Sequence, residues 1–243
     1  GNFLRAFVDY WFDLANEKAG WNGKCCLVQP IAPGLSKMIN EQEGLYTLFL
    51  RGFQDGQKVN KKRIISCVSR CLNPYQDFDA VLDCASNPDL RFIACNTTEA
   101  GIAYDSSCQF TDIPASSYPG KLTQFLYRRF EKFGTVPGKG FIILSCELID
   151  DNGKELEKCV LQYAKQWNLG EAFIAWIKTE NTFCSTLVDR IVTGYPRSEA
   201  DAICEELGYK DNLIDTGEIF GFWVIEGPQT IKDEFPVDKA ELP

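Results

Sequence analysis

The sequence contains no histidine. That removes the usual general base, and with it any Ser-His or Cys-His nucleophilic pair within the chain. Basic residues are outnumbered, 25 against 34 acidic, for a formal net charge of -9. Such a balance repels phosphate backbones and anionic membrane surfaces, so neither nucleic acid nor a membrane is expected as a partner. No apolar run reaches the roughly 20 residues that span a bilayer, and the first residues lack the basic-then-apolar order of a secretory signal, so a cytoplasmic location is expected. No C-x2-C pair occurs either. Cys67 and Cys71 are spaced C-x3-C, but without histidine a zinc site would need an all-thiolate cluster drawn from distant segments, and no metal is expected.

Cysteine itself is plentiful, with 11 residues, and 45% of the chain is hydrophobic, enough for a sizeable core. At 243 residues there is room for one large domain, or for one domain and part of another. The cysteine count is odd, and several members lie inside apolar runs (CCLV, FIAC, ILSC). This reads as reduced, mostly buried thiols rather than a disulfide framework.

The chain opens GNFLRAF. From Phe3 to Ala19, the residues Phe3, Phe7, Trp11 and Leu14 fall on one helical face, with Arg5, Asp9, Asp13 and Glu17 on the other. The spacing predicts one amphipathic helix, capped by Asn2 and ended by the turn GWNGK. CCLVQPI (Cys25 to Ile31) reads as a strand apolar on both faces until Gln29, as in a buried parallel sheet. RIISCVS (Arg63 to Ser69), RFIAC (Arg91 to Cys95) and GFIILSC (Gly140 to Cys146) are of the same type, and LYTLFLRG (Leu45 to Gly52) is a strand expected to pair outside the parallel set. Helical patterns lie between them, around Phe78 to Ala85, Lys121 to Phe133 and Lys154 to Trp167. After Trp167 a long helical stretch is expected through EAFIAWIK, STLVDRIV and SEADAICEEL, followed by a last strand, Gly221 to Glu226, and a polar tail containing proline. Strands alternating with helices predict an α/β fold with an open, mainly parallel sheet and helices on both faces.

In such a sheet ligands bind beyond the carboxyl ends of the strands. Gly1 and Asn2 sit where a glycine turn feeds a helix, which fits the later half of a dinucleotide fingerprint, or equally a simple turn. Arg5 reads either as a phosphate contact or as an i to i+4 partner of Asp9 on a solvated face. Asn96, Thr97 and Thr98 follow a buried strand and offer hydrogen bonds to a ribose or an amide, although Asn and Thr also cap helices. Glu147 and Asp150 follow another strand as a candidate acid-base pair or as solvated charges. Asp189 and Arg190, within VDR, read as an internal ion pair on a helix.

In order, GNFLRAF, QPI with NEQEGLYT, CNTTEAGIAY, YPGKLTQFLYRRF, ILSCELIDDNG, NTFCSTLVDRIVTGYPR and FWVIEGP resemble the tagaturonate reductase branch of the mannitol dehydrogenase (polyol-specific long-chain dehydrogenase) family, across nearly the whole chain. The resemblance implies a Rossmann-like, doubly wound fold whose first strand is missing here. It also implies an NAD-binding domain over residues 1–215, and a last strand and connection over 216–243 toward a helical catalytic domain that this chain lacks. It implies NAD as cofactor, with Gly1, Asn2 and Phe3, and with them Arg5, along the pyrophosphate. Gln29 and Pro30 would lie near the adenosine ribose, and Asn96, Thr97 and Thr98 on the nicotinamide side. Glu147, Asp189 and Arg190 become candidates for the side of a sugar-acid substrate. The implied reaction is hydride transfer between D-tagaturonate and D-altronate, with fructuronate reductase and mannitol dehydrogenase as related alternatives.

Two departures from the family pattern matter. No Asp or Glu ends the second strand, so the preference for NAD over NADP rests on the family alone. The family's catalytic K-x4-N-x2-H motif has no counterpart in this sequence, so no residue here is assigned as catalytic, and little or no turnover is expected of these 243 residues alone. Leu148 stands where mannitol-type enzymes carry an asparagine, which argues against a simple polyol substrate. Readings from other classes are a non-enzymatic nucleotide-binding regulatory module and an adenosylmethionine-dependent transferase. The absent first strand counts against the former, and Gln29, where that transferase class carries an acid, against the latter.

Overall fold

The computed structural model describes residues 1–240. The last three positions of the 216–243 segment therefore lie outside the described residues. The predicted first helix is two: α1 (Asn2–Ala6) and α2 (Val8–Ala19). They part at Phe7, whose backbone leaves helical geometry while its buried ring stacks on Phe3 and packs against Trp223. Asn2 is the first helical residue rather than the cap, and its Oδ1 accepts from Arg5 Nη2 at 2.9 Å. Gly20, in the left-handed region at φ 62°, ends α2 as expected.

Strand β1 (Cys25–Val28) stops short of the predicted Ile31 and pairs in parallel with β4 (Val68–Leu72), with Cys26 opposite Arg70. RIISCVS, predicted as one strand, belongs to two. Ile65 closes β3 (Gln57–Ile65), and β4 begins at Val68. Between them the Ser66 N-H and hydroxyl both bond the buried Asp13 Oδ1, at 2.9 and 3.2 Å, which draws the backbone from one sheet to another. Strand β2 (Tyr46–Gln54) runs antiparallel to β3 and parallel to β8 (Asp215–Glu218). The remaining sheet holds β5 (Phe92–Cys95), β6 (Ile142–Ser145) and β7 (Thr182–Asp189) in parallel, with β9 (Phe222–Ile225) antiparallel at its edge. STLVDRIV is thus mostly strand, not helix. The single open sheet of the prediction is realised as three hydrogen-bonded sheets, and β1 and β5 each keep one edge without a ladder partner among the described strands.

Helices α3 (Ser36–Glu41), α4 (Phe78–Asp83), α5 (Tyr118–Phe133), α6 (Asn152–Gln166), α7 (Glu171–Glu180), α8 (Ala200–Leu207) and α9 (Ile231–Glu234) complete the fold. Strand β6 shows how they are layered. Its Ile142 and Leu144 join the core built on α1 and α2, while Ile143 joins the core of α5, α6 and α7. A strand buried on both faces needs helices on both sides, which is why IILS reads as a continuous apolar run. The tail is not simply polar. Phe235 is fully buried and packs against Phe12, Trp21, Phe92 and Trp223, and the boundary expected at residue 215 falls inside β8.

Candidate functional site

The carboxyl ends of β5 and β6 lie abreast, because Cys95 pairs with Ser145 and the Cys146 N-H donates to Cys95 O at 2.8 Å. Chain leaving both ends is locked together by one carboxylate. Glu147 is 2% exposed, and its Oε1 accepts from the Thr97 N-H at 2.9 Å and from the Thr97 hydroxyl at 3.0 Å. The Cys95 thiol lies 3.7 Å from its Oε2, and burial pushes that thiol well above the usual cysteine range. Asn96 Nδ2 donates to Cys146 O, leaving its Oδ1 without a protein partner among the described residues. Asn96, Thr97 and Glu147 therefore form one unit, with Thr98 exposed beside them in a turn closed by the Gly101 N-H on Thr98 O. Asp150 is exposed, so the acid-base pair read from the sequence is not assembled.

Two residues behind this unit escaped the sequence reading. Asn152, at the start of α6, is 1% exposed; its Nδ2 donates to Glu147 O and Thr186 O, and its Oδ1 accepts from the Thr186 N-H, each at 2.9 Å. One amide thereby fixes the loop after β6 to β7. Tyr118, at the start of α5, brings its hydroxyl beside Cys95 and Glu147, where burial raises its pKa. Only the position of each, at a helix start after a polar loop, could have flagged them.

The other candidates are placed elsewhere. Gln29 is 5% exposed and spends its carboxamide on its own loop, with Nε2 donating to Ile31 O and Ala32 O at 2.8 Å and Oε1 accepting from the Ser36 N-H at 3.1 Å. Pro30 is exposed, its carbonyl accepting from the Tyr75 hydroxyl at 3.1 Å. Beside them, an open cleft of about 570 Å³ lies at the end of β4, lined by Asn40, Leu72, Asn73 and Asp77 among others. Gly1 is exposed, and a Cβ built on it meets no atom within 4 Å. Its amino group lies within electrostatic range of Cys71 on β4 and of Asp215 on β8. Asn2 is exposed and Phe3 half-buried.

Arg5 and Arg190 hold α1 from two sides. Arg5 is 3% exposed, donates to Leu213 O at 2.8 Å and pairs with Asp215 at 3.7 Å; it is no member of a solvated face, and neither is Asp9, at 2%. Arg190 donates to Ala6 O at 2.8 Å and Phe220 O at 2.9 Å, and its guanidinium lies over Tyr10 and Trp11. Asp189 is exposed because successive residues of a strand point to opposite faces, so the internal ion pair expected of VDR does not form. All 11 cysteines are free, eight of them buried, and no group of three or more acidic or thiol ligands among the described residues could hold a metal ion.

A family model for the mannitol dehydrogenase Rossmann domain matches residues 1–239. The chain belongs to that family. Among curated members it is 49% identical to an altronate oxidoreductase of Klebsiella pneumoniae subsp. pneumoniae and 50% identical to one of Phocaeicola vulgatus, in each case across 100% of this chain and 50% of the relative. The chain thus spans about half the length of the relatives it matches. Among solved structures, a substrate-free D-sorbitol dehydrogenase superposes with a TM-score of 0.80 at 24% identity, covering 100% of this chain and 51% of that one. A Pseudomonas fluorescens mannitol 2-dehydrogenase in ternary complex with NAD and D-mannitol gives 0.79 at 24% identity, over 94% and 48%. At that identity the two structures establish the shared Rossmann fold of this mannitol dehydrogenase domain.

Proposed function

We propose that this chain is the nucleotide-binding half of an NAD-dependent oxidoreductase that interconverts D-tagaturonate and D-altronate. The observation that carries the reading is identity of about one half with altronate oxidoreductases across the whole chain. The arrangement at the strand ends supports it. Parallel strands β1, β4, β5 and β6 end where a Rossmann domain takes its ligand. Asn96, half-buried, and Thr98, exposed, offer polar groups there, on a loop that Glu147 ties through Thr97. Gly1, just ahead of α1, carries no side chain to hold a phosphate away from its backbone. Gln29, already committed to its own loop, serves this pocket by shaping it. NAD when bound supplies the hydride acceptor or donor, and the protein contributes position and a dry, polar wall. A cytoplasmic location fits a soluble sugar-acid substrate, and no described helix is long and apolar enough to cross a membrane.

Steady-state assays of the intact protein with NADH and D-tagaturonate, D-fructuronate or D-fructose test the reading. The expected result is a kcat/KM for tagaturonate at least tenfold above the other two. Preference for fructuronate or fructose would move the chain to another branch of the family, and no nicotinamide-linked turnover with any of them would refute the proposal.

A further inference from the structure

Eight of the 11 cysteines are buried, but one half-buried pair sits beside a cation. Cys26 and Arg70 are direct partners across the parallel β1/β4 ladder, so their side chains share a face of the sheet. Onto that face folds the 3-10 turn Cys84–Ser86 that follows α4. It brings Cys84 Sγ within 3.5 Å of Arg70 Nη2 and beside the Cys26 thiol. Both cysteines are half-buried and Arg70 is exposed, so a small reagent in water can reach the group.

We propose that Cys84 and Cys26 form a peroxide-oxidisable dithiol, with Cys84 as the attacking thiolate and Cys26 as the resolving thiol. The assignment of roles follows from the guanidinium. The Arg70 cation points at Cys84 sulfur and, with the neighbouring Cys26 thiol, favours its ionised form, whereas the Cys26 S-H faces Leu27 O at 3.9 Å and stays protonated. The Cys26 thiol, with help from Arg70, pulls Cys84 down to about 6, against burial and the charge of Asp83. Cys26 is pushed upward by the same contact.

The chemistry balances with a hydroperoxide as oxidant. The Cys84 thiolate attacks one peroxide oxygen, the O-O bond breaks, and sulfur loses two electrons to become a sulfenic acid as an alcohol or water leaves with the proton. Cys26 sulfur then attacks Cys84 sulfur, the S-O bond breaks and water departs, giving the Cys26–Cys84 disulfide. In sum two thiols and one hydroperoxide give a disulfide, water and an alcohol, or a second water from hydrogen peroxide. The bond would tie β1 to the turn after α4 beside the loop that holds Gln29 and Pro30.

Cys204, the remaining half-buried cysteine, is an internal control because among the described residues its sulfur bonds only the Asp211 backbone, with no arginine hydrogen bond. The intact protein is labelled briefly with iodoacetamide near neutral pH, and separately exposed to hydrogen peroxide before free thiols are blocked and peptides are mapped by mass spectrometry. Cys84 should alkylate about tenfold faster than Cys204, and peroxide should yield a peptide pair joined through Cys26 and Cys84. Arg70→Gln should slow Cys84 labelling to near the Cys204 rate, and Cys26→Ser should leave Cys84 as a sulfenic acid trapped by dimedone. Equal labelling of Cys84 and Cys204 in the unmodified protein, or peroxide modification without a Cys26–Cys84 link, would overturn the proposal without any variant needing to fold.

Discussion

The Glu147 carboxylate takes two hydrogen bonds from one residue, Thr97, through its backbone N-H and its hydroxyl, at 2.9 and 3.0 Å. It is the tie between the loops that leave the neighbouring parallel strands β5 and β6. Glu147→Ala leaves a part-buried N-H without its partner, which costs about 1 kcal/mol, and frees the Asn96–Thr98 loop. The expected outcome in the intact enzyme is a Kd for NADH raised about tenfold, whereas Glu147→Gln, which keeps an acceptor oxygen, stays within about threefold of the parent. Fluorescence titration with NADH checks both. Equal affinity in the Ala variant would show that the tie does not position the cofactor loop.

Arg190 separates a structural from a substrate-side role. Its two carbonyl bonds and its seat over Tyr10 and Trp11 cannot be reproduced by a lysine. Arg190→Lys is expected to lower unfolding free energy by about 2 kcal/mol, read from urea denaturation, with the KM for sugar acid little changed. A large rise in KM at undiminished stability would instead place Arg190 on the substrate.

Two buried aspartates give the fold a pH signature. Burial, opposed by Arg5 and by hydrogen bonds, pushes Asp9 up to about 6 and Asp215 up to about 6. An unfolded aspartate titrates at about 3.9, so between these values the native state binds more protons than the unfolded chain. Both groups thus contribute stability that is present below about pH 4 and lost as pH rises through about 6. Asp9→Asn should flatten that fall by on the order of 2 kcal/mol relative to the parent. Thermal melts of both proteins across this window check it; parallel curves would rule out a raised Asp9.

Gly153 marks a close approach rather than a flexible point. A Cβ there would stand 2.4 Å from the Cys184 carbonyl carbon and 2.5 Å from the Ser185 N, both backbone atoms that cannot step aside. Gly153→Ala should therefore destabilise the protein by about 1–3 kcal/mol, measured by urea unfolding, by pushing α6 off β7. An unchanged midpoint would mean that this contact is looser than described.

Where burial and local pattern agree, the sequence carries its own structure. IILS is apolar at every position because both faces of β6 are covered, and α5 and α6 announce themselves by apolar spacing and polar starts. Asn96, Thr97 and Glu147 were legible as polar groups at strand ends. The failures have physical causes. Strand β3 carries KVNKKR on an edge that faces water, so it offers no apolar alternation to read, though lysine is a common guard of such edges. Strand β7 lies between helical patterns, and STLV suits either period until its neighbours are known. Asn152 looks like an ordinary cap from sequence, because its four-way bonding depends on β7 arriving from 34 residues away. Arg5 reads as a phosphate contact or a solvated partner of Asp9, and Arg190 as the partner of Asp189, because the acceptors that bury them, the carbonyls of Leu213, Phe220 and Ala6, belong to distant or featureless chain.

Hydrogen exchange of the intact enzyme with and without NAD tests the central claim, that the ends of the parallel strands form the dinucleotide site. Saturating NAD should slow exchange in Gly1–Phe3, Asn96–Gly101 and Cys146–Asn152 together, leaving the outer β3 edge unchanged. Binding that protects none of these three segments, or no binding at all, would contradict the account.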